Sequence, residues 1–178
     1  MDGEIPLDEV FRRRMEVIRP SRSMVGKVSR RYLETVVPGA AGAAVLVSKA
    51  IGSGWLPVIL SGGFAPAIRP LAGQLGIRHV EAVPLHFNDL GVYAGYGEDY
   101  PTTRNLGKSE IVRGWKRAML PQRPVMTGDG ISDLETKPDV DLMIGFGGMV
   151  RREKVREGAG LWLEDFGSPG HLMSILEG

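Results

Sequence analysis

Two aspartates and two glycines lie close together in residues 125–133 (VMTGDGISD). Asp129 and Asp133 follow a short apolar run that predicts a buried strand, and hard carboxylate oxygens at a strand end can hold Mg²⁺. Gly128 and Gly130 would leave the backbone around Asp129 free to adopt unusual angles. The alternative is an Asx-type turn with Asp133 in the first turn of a helix, which explains one aspartate more easily than two.

A hydroxyl followed by two glycines ends another apolar run. Residues 56–60 (LPVIL) predict a buried strand, and Ser61, Gly62 and Gly63 follow it directly, before a predicted helix. The Ser61 hydroxyl, bare backbone N–H groups and a helix N-terminus would together suit an anion. The alternative is a tight turn in which Ser61 caps the helix.

Lys108 lies at the start of a predicted helix, where its ammonium group could neutralise phosphate oxygens. Gly107, Lys108 and Ser109 are similar to the end of a Walker A loop. That pattern requires an earlier glycine where Thr102 stands, and no buried strand precedes it, so a P-loop is not predicted. A solvent-exposed lysine at a helix start is the alternative.

Arg14 falls in the middle of an apolar stripe on a helical wheel of the first helix. The stripe consists of Leu7, Val10, Phe11, Val17 and Ile18. A buried arginine needs an anionic partner, because an unpaired buried charge is costly. Arg14 is therefore a candidate ligand-binding residue, and a snorkelling side chain or an ion pair with a nearby carboxylate is the alternative.

The elements that must position these residues alternate between helices and strands. Helices are predicted at 6–18, 21–36 (with Ser21 as N-cap and Pro38 and Gly39 ending it), 39–52, 65–75, 108–119, 132–136 and 150–157, with another at the C-terminus. Strands are predicted at 56–60, 124–127, 141–144 and 161–163, with a hairpin over 80–97 that turns at 88–91. This alternation predicts an open parallel α/β sheet, in which chemistry lies at the carboxyl ends of the strands.

Composition excludes several function classes. The 178 residues carry a net charge of +1, which gives no electrostatic case for binding nucleic acid or a membrane surface. The absence of cysteine excludes a disulfide scaffold, a thiolate zinc site and cysteine catalysis. The N-terminus is acidic where a signal peptide would be basic, and the longest apolar stretch is far shorter than the ~20 residues of a membrane span. We therefore expect a soluble, cytoplasmic protein.

In their order along the chain, these motifs resemble those of phosphoserine phosphatases of the haloacid dehalogenase-like (HAD) superfamily. The matching stretches are LSGGFAPAIRPLAGQLGI, GKSEIV and VMTGDGISDLETKPDVDLMIGFGG, and the first 22 residues resemble the family's helical cap. The resemblance implies a HAD-like α/β fold, with part of the cap at 1–38 and the core at 39–178. It also implies Mg²⁺-dependent hydrolysis of O-phospho-L-serine to L-serine, the last step of serine biosynthesis, through an aspartyl-phosphate.

The resemblance further implies a role for each matching residue. Lys108 would neutralise the phosphate and stabilise charge in the transition state. Asp129 would be a metal ligand, Asp133 would order the metal and its waters, and Ser132 would contact the substrate.

The remaining implied roles concern substrate binding. Ser61 would bind the phosphoryl oxygens, with the two glycines beside it, and Arg14 would bind the substrate carboxylate. Met1 and Asp2 align with cap residues near the substrate, although Asp2 stands where the family often has glycine.

One departure from the family is large. Its nucleophile and general acid lie in an Asp-x-Asp-Ser/Thr motif, on a central strand between those at 56–60 and 124–127, and this motif is missing here. The one Asp-x-Asp of the sequence, Asp139 and Asp141, precedes a strand and is rejected as the nucleophile. We therefore expect Met1 to be an internal methionine, with roughly 40–60 residues upstream.

Two other functions stay open. The chain could be a non-catalytic remnant that binds phosphate or phosphoserine, or an interaction module that pairs a strand with a partner polypeptide. The expected partner is a small phosphomonoester, with neither nucleic acid nor membrane. The sequence leaves the oligomeric state open, a homodimer included.

Overall fold

The structure, a computed structural model, describes residues 6–39 and 41–177, with side chains except at 35–39 and 41. Met1 and Asp2 lie outside the described residues. The helices are α1 (Leu7–Ile18), α2 (Arg22–Gly39), α3 (Ala41–Gly52), α4 (Ala65–Gln74), α5 (Gly107–Met119), α6 (Ile131–Leu134), α7 (Glu153–Gly158) and α8 (Pro169–Glu177). The strands are β1 (Val58–Phe64), β2 (His79–Val83), β3 (Leu85–Phe87), β4 (Tyr93–Tyr96), β5 (Val125–Gly128), β6 (Leu142–Phe146) and β7 (Leu161–Leu163). Short 3-10 helices cover Pro101–Thr103 and Lys137–Asp139.

The chain forms two compact units. The site unit comprises Asp99–Asp165 with the N-terminal residues up to Phe11, and the hairpin unit comprises Arg12–Glu98 with the chain from Phe166 onward. The prediction of parallel α/β structure is confirmed, but as separate sheets rather than one. The site unit holds the parallel sheet β5–β6–β7, and the hairpin unit holds the parallel pair β1–β2 and the antiparallel pair β3–β4.

The core of the hairpin unit packs helices onto the β3–β4 hairpin. Buried Met15, Val25, Ala67 and Leu85 form its centre, and partly buried aromatic residues pack around them: Phe64, Phe87, Tyr93 and Tyr96. Burial is the largest cause that raises the pKa of the Tyr93 and Tyr96 phenols, and the nearby Glu98 carboxylate raises it further. The hairpin turn at 88–91 is confirmed, since Gly91 N–H donates to Asn88 O at 2.9 Å and Gly91 has φ of +75°.

The ends of α2 differ in how well the sequence predicted them. Ser21 is the N-cap, because its Oγ accepts a hydrogen bond from Met24 N–H at 3.2 Å. The predicted stop before Pro38 is wrong, since α2 runs to Gly39. A proline in the last turn removes a single helical hydrogen bond, so the helix can pass through it before ending.

Strand β1 also extends beyond its predicted end. The strand was expected to end at Leu60, but it runs to Phe64, and its register with β2 shifts between Leu60 and Phe64. A shift of this kind is typical of a bulge, which lets the Gly62–Gly63 pair bend without leaving the strand. Helix α4 ends at Gln74, and Gly76 follows it with φ of +73°, a left-handed angle that glycine adopts readily after a helix.

The sheet of the site unit is regular. Strand β5 pairs with β6 from Val125–Leu142 to Gly128–Gly145, and β6 pairs with β7 from Ile144–Leu161 to Phe146–Leu163. Parallel strands end at a common edge, so the residues after β5 and β6 lie at one end of this sheet. In the described part of the chain, no helix has the length and apolar character that crossing a bilayer requires.

Candidate active site

The loop after β5 is built around the Asp133 carboxylate. A Cβ on Gly128 would lie 2.2 Å from Asp133 Cγ, so only glycine leaves room for this carboxylate. Asp133 Oδ2 also accepts a hydrogen bond from Gly130 N–H at 2.9 Å, at the start of α6. The glycines therefore make space for Asp133, whereas the sequence had assigned them to the backbone freedom of Asp129.

Lys108 and Asp133 form a buried ion pair. Lys108 Nζ lies 2.5 Å from Asp133 Oδ1, and each side chain is 9% exposed. This burial excludes the alternative of a solvent-exposed lysine, since lysine is rarely buried unless it is paired, and the phosphate-neutralising role of Lys108 stays a prediction. The pair fixes the ammonium group of Lys108 at the first turn of α5.

The N-terminus of α5 is held in a strained conformation. Leu106 has φ of +59°, an uncommon angle for a residue with a side chain, and its N–H donates to Glu135 Oε2 at 2.7 Å. A Cβ on Gly107 would lie 1.6 Å from Pro101 O, so the helix can start here only with glycine. Because a 3-10 helix and not a strand precedes α5, the decision against a P-loop is supported. Strain of this kind is common at functional sites.

Two buried hydroxyls fix the segment that carries Asp133. Ser109 Oγ donates to Glu135 O at 2.8 Å, and Thr136 Oγ1 donates to Asp133 O at 2.7 Å. Both residues are fully buried. Helix α6 is only four residues long, so these contacts rather than helix propensity hold it in place.

Asp129 differs from Asp133 in both exposure and partner. Its side chain is 42% exposed, and its carboxylate pairs with the guanidinium of Arg152. Arg152 Nη1 also donates to Asp129 O at 2.8 Å. Ser132 lies beside this loop in α6 and is half-buried.

The donor set of this loop suits Mg²⁺ in part. Magnesium is commonly bound by one or two carboxylates together with water and phosphate oxygens, and Asp129 offers one partly exposed carboxylate. Nowhere in residues 6–39 and 41–177 do three His, Asp or Glu side chains converge on a common point. A cation at Asp129 would therefore take most of its ligands from water or from an anionic ligand.

Residues 61–63, which we call the Ser61 turn, lie in the last part of β1 and belong to the hairpin unit. Ser61 is half-buried, and its Oγ accepts a hydrogen bond from Gly63 N–H at 3.0 Å. The alternative in which Ser61 caps α4 is wrong, because the cap position is Phe64 and its side chain makes no capping bond. The strand runs through the serine, which leaves it too far from the helix start to cap it.

The helical-wheel prediction for Arg14 is not supported by the packing of α1. Arg14 is exposed, and so are two members of the predicted stripe, Val17 at 84% and Ile18 at 53%. The buried residue of this helix is Met15, at 2%. The helical wheel counted Val17 and Ile18 as part of the apolar stripe. These residues lie at the end of α1, where the chain turns and no core residues cover them. Arg14 is in the hairpin unit, whereas Lys108, Asp129, Asp133 and Ser132 share the site unit.

The rejected Asp-x-Asp has a structural role. Both Oδ atoms of Asp139 accept from Arg113 Nε, at 3.0 and 3.1 Å. Asp139 lies in a 3-10 helix that precedes β6, at the amino end of that strand. Its rejection as the nucleophile is therefore supported.

Two site residues were missed by the sequence interpretation. Arg152 pairs with Asp129, and Glu135 holds the backbone of Leu106. A signal for Arg152 existed, because it follows the glycine pair after β6 and strand ends of a parallel sheet share an edge. No spacing rule links Glu135 to a residue 29 positions earlier.

Solved structures show the fold class. A phosphoserine phosphohydrolase-like protein from Francisella tularensis superposes with a TM-score of 0.80 over 99% of this chain and 80% of its own, at 22% identity. A substrate-bound phosphoserine phosphatase complex superposes with a TM-score of 0.74 over 99% of this chain and 79% of its own, at 19% identity. The fold is that of HAD-like phosphatases, as predicted.

Curated relatives narrow the class to one family. The phosphoserine phosphatase of Mus musculus is 33% identical over 168 residues, which cover 93% of this chain and 73% of that protein. The Homo sapiens enzyme is 32% identical with the same coverage. No protein-family model matches the chain. The chain belongs to the phosphoserine phosphatase family of phosphate-ester hydrolases.

Proposed function

We propose that this chain carries the phosphate-binding and cation-binding residues of an enzyme that hydrolyses O-phospho-L-serine with Mg²⁺, in the cytoplasm and in serine biosynthesis. The observation that carries the proposal is the buried Lys108–Asp133 pair beside Asp129, at the carboxyl end of β5. Family membership supports the same reaction. We also propose the division into a partial cap at 1–38 and a core at 39–178.

Asp129 would hold the cation, and Asp133 would order its waters while fixing Lys108. When bound, Mg²⁺ would supply positive charge to the phosphoryl oxygens. Lys108 would donate from its ammonium group to a phosphoryl oxygen and stabilise negative charge as the ester bond breaks. Ser132 would contact the substrate from α6.

The Ser61 turn would supply the remaining phosphate contacts. The Ser61 hydroxyl already orders Gly63 N–H, which keeps the backbone of the turn in one conformation. The Ser61 hydroxyl would donate to a phosphoryl oxygen, with Gly62 and Gly63 beside it. Because glycine has no side chain, an oxyanion can approach the backbone closely there.

Arg14 would bind the substrate carboxylate, with Met1 and Asp2 near the same ligand. Its exposure is compatible with binding a ligand from solvent. Comparing two ligands tests the carboxylate-binding role of Arg14, since phosphoserine has a carboxylate and phosphoethanolamine lacks one. Arg14→Gln should weaken phosphoserine binding about tenfold and leave phosphoethanolamine binding unchanged, as measured by calorimetry. Equal weakening of both ligands would assign Arg14 to phosphate or to structure instead.

Turnover requires a nucleophilic aspartate, and the 178-residue sequence holds no Asp-x-Asp-Ser/Thr motif. We propose that the 178 residues alone bind phosphoserine in the presence of Mg²⁺ without hydrolysing it. Phosphate release and calorimetric binding on the same sample test this. Lys108→Met should abolish binding, and Lys154→Met, a change at an exposed lysine of α7, should not. Enzymatic turnover by the chain would show that another residue is the nucleophile.

Strand pairing with a partner polypeptide is the second candidate function. Within the described residues, β1 pairs with β2 alone and β5 with β6 alone, so one edge of each strand has no strand beside it. Exposed strand edges favour association. A monomeric, monodisperse sample in sedimentation would contradict this candidate, and a homodimer would support it.

A further inference from the structure

Arg152 ties together the two loops that follow β5 and β6. It immediately precedes α7, and its Nη1 contacts both the carboxylate and the backbone carbonyl of Asp129. The neighbouring Arg151 pairs instead with Glu164, 2.7 Å away. Of these two adjacent arginines, only Arg152 is in an ion pair with Asp129, whereas Arg151 is in an ion pair with Glu164.

The carboxylate that Arg152 occupies is the one proposed to hold the cation. The guanidinium contacts Oδ2 of Asp129, and Mg²⁺ bound to either oxygen of this carboxylate, at about 2.0–2.1 Å, would place a second positive charge close to it, so the two cations compete for Asp129. Asp133 is the less available carboxylate, since Lys108 and Gly130 N–H each bond to one of its oxygens and its side chain is buried. Cation binding at Asp129 is thus opposed by the Arg152 contact and favours its release.

The Arg152–Asp129 contact is exposed enough to be exchanged. The two side chains are 30% and 42% exposed, and ion pairs in contact with water contribute little to stability. The guanidinium can be rehydrated when it leaves the carboxylate. The Lys108–Asp133 pair, at 9% exposure on both sides, has no such route.

We propose that Arg152 is a positioning residue that holds Asp129 in place until a divalent cation binds, and that the cation displaces it. When the cation binds, the loop that carries Arg152 is released, and the two events form a single exchange. Arg152 keeps the loop ordered without the cation and lowers the affinity for it. This inference rests on the proposed role of Asp129 as the cation ligand.

Mg²⁺ titrations of the 178-residue protein test the exchange. The amide resonances of residues 128–133 report the binding, and they also detect weak affinities. Arg152→Gln should bind Mg²⁺ roughly five- to tenfold more tightly than the unaltered protein, because one competing charge is gone. Arg151→Gln is the matched control, since it makes the same charge change one residue away, and it should bind within about twofold of the unaltered protein. The Arg152 side-chain Nε resonance should shift on Mg²⁺ addition in the unaltered protein.

The variants separate this inference from the proposed function. If Asp129→Asn binds Mg²⁺ as the unaltered protein does, the cation role of Asp129 is wrong and the exchange is wrong with it. If Asp129→Asn loses the Mg²⁺ response while Arg152→Gln binds with unchanged or weaker affinity, only the exchange is wrong. Should Arg152→Gln fail to fold, Arg152→Lys decides, because it keeps the charge and loses the planar contacts. It should bind Mg²⁺ between two- and fivefold more tightly, and unchanged affinity would overturn the proposal.

Discussion

The two ion pairs of the loop after β5 contrast in burial and therefore in what they can do. Lys108–Asp133 is closed to water, whereas Arg152–Asp129 is open to it. Removing one partner of a buried pair leaves an uncompensated charge in low dielectric, while an exposed charge is rehydrated. The first pair is suited to holding the ammonium group of Lys108 in place, and the second to releasing the carboxylate of Asp129.

We expect the largest effect from removing the buried ammonium group of Lys108. Lys108→Met should lower the free energy of unfolding by about 3–5 kcal/mol, because Asp133 would stay buried without its counter-charge. Urea denaturation measures this, with Lys154→Met as the control at an exposed lysine. The double variant Lys108→Met with Asp133→Asn should lose less than the two single losses added together. A loss below about 1 kcal/mol in Lys108→Met would show that the pair behaves as an exposed one.

The space around Asp133 gives the next largest effect. Gly128→Ala should cost roughly 1–3 kcal/mol, because its Cβ would collide with Asp133 Cγ and force the buried pair apart. Gly114→Ala is the matched control, since nothing lies within 4 Å of its Cβ in the interior of α5. That control should gain about 0.5–1 kcal/mol from helix propensity. Thermal unfolding of both variants measures the difference, and equal behaviour would contradict the packing around Asp133.

Salt sharpens the contrast between the pairs. Arg152→Gln should cost no more than about 1 kcal/mol at low ionic strength. The cost should vanish in 1 M NaCl, where the Debye length is about 3 Å. The Lys108→Met defect should persist in the same salt. Denaturation curves at two salt concentrations compare the variants, and a salt-resistant Arg152 effect would mean that its contact with the Asp129 carbonyl is the stabilising one.

The smallest effect concerns a third pair at the opposite end of β6. Asp139→Asn should change stability by less than about 1 kcal/mol, because Arg113 is 51% exposed. It should leave the Mg²⁺ titration and phosphoserine binding unaltered, whereas Asp129→Asn should alter both. If Asp139→Asn lost the binding of Mg²⁺ or phosphoserine, the rejection of Asp139 and Asp141 as the nucleophile motif would be contradicted.

The sequence interpretation did well where local chemistry decides structure. The strand before Asp129, the Ser21 cap and the hairpin turn at Gly91 each depend on a few neighbouring residues, and the structure bears them out. It failed where packing decides. The helical wheel of α1 placed Val17 in the apolar stripe and left Met15 out of it, whereas the structure buries Met15 and exposes Val17. The roles of Ser61, Arg14, Met1 and Asp2 in ligand binding stay predictions.

The amino-acid sequence alone indicated the family, the position of Asp129 at a strand end and of Lys108 at a helix start, and the glycines of the loop. These follow from residue types and spacing, because a fold of this class carries its polar loop residues at the carboxyl ends of its strands. Only the tertiary structure decided which cation meets which carboxylate. Lys108 and Asp133 are 25 residues apart, and Arg152 and Asp129 are 23 apart. Burial then gave the two pairs different properties, because the cost of separating charges depends on how much water can reach them.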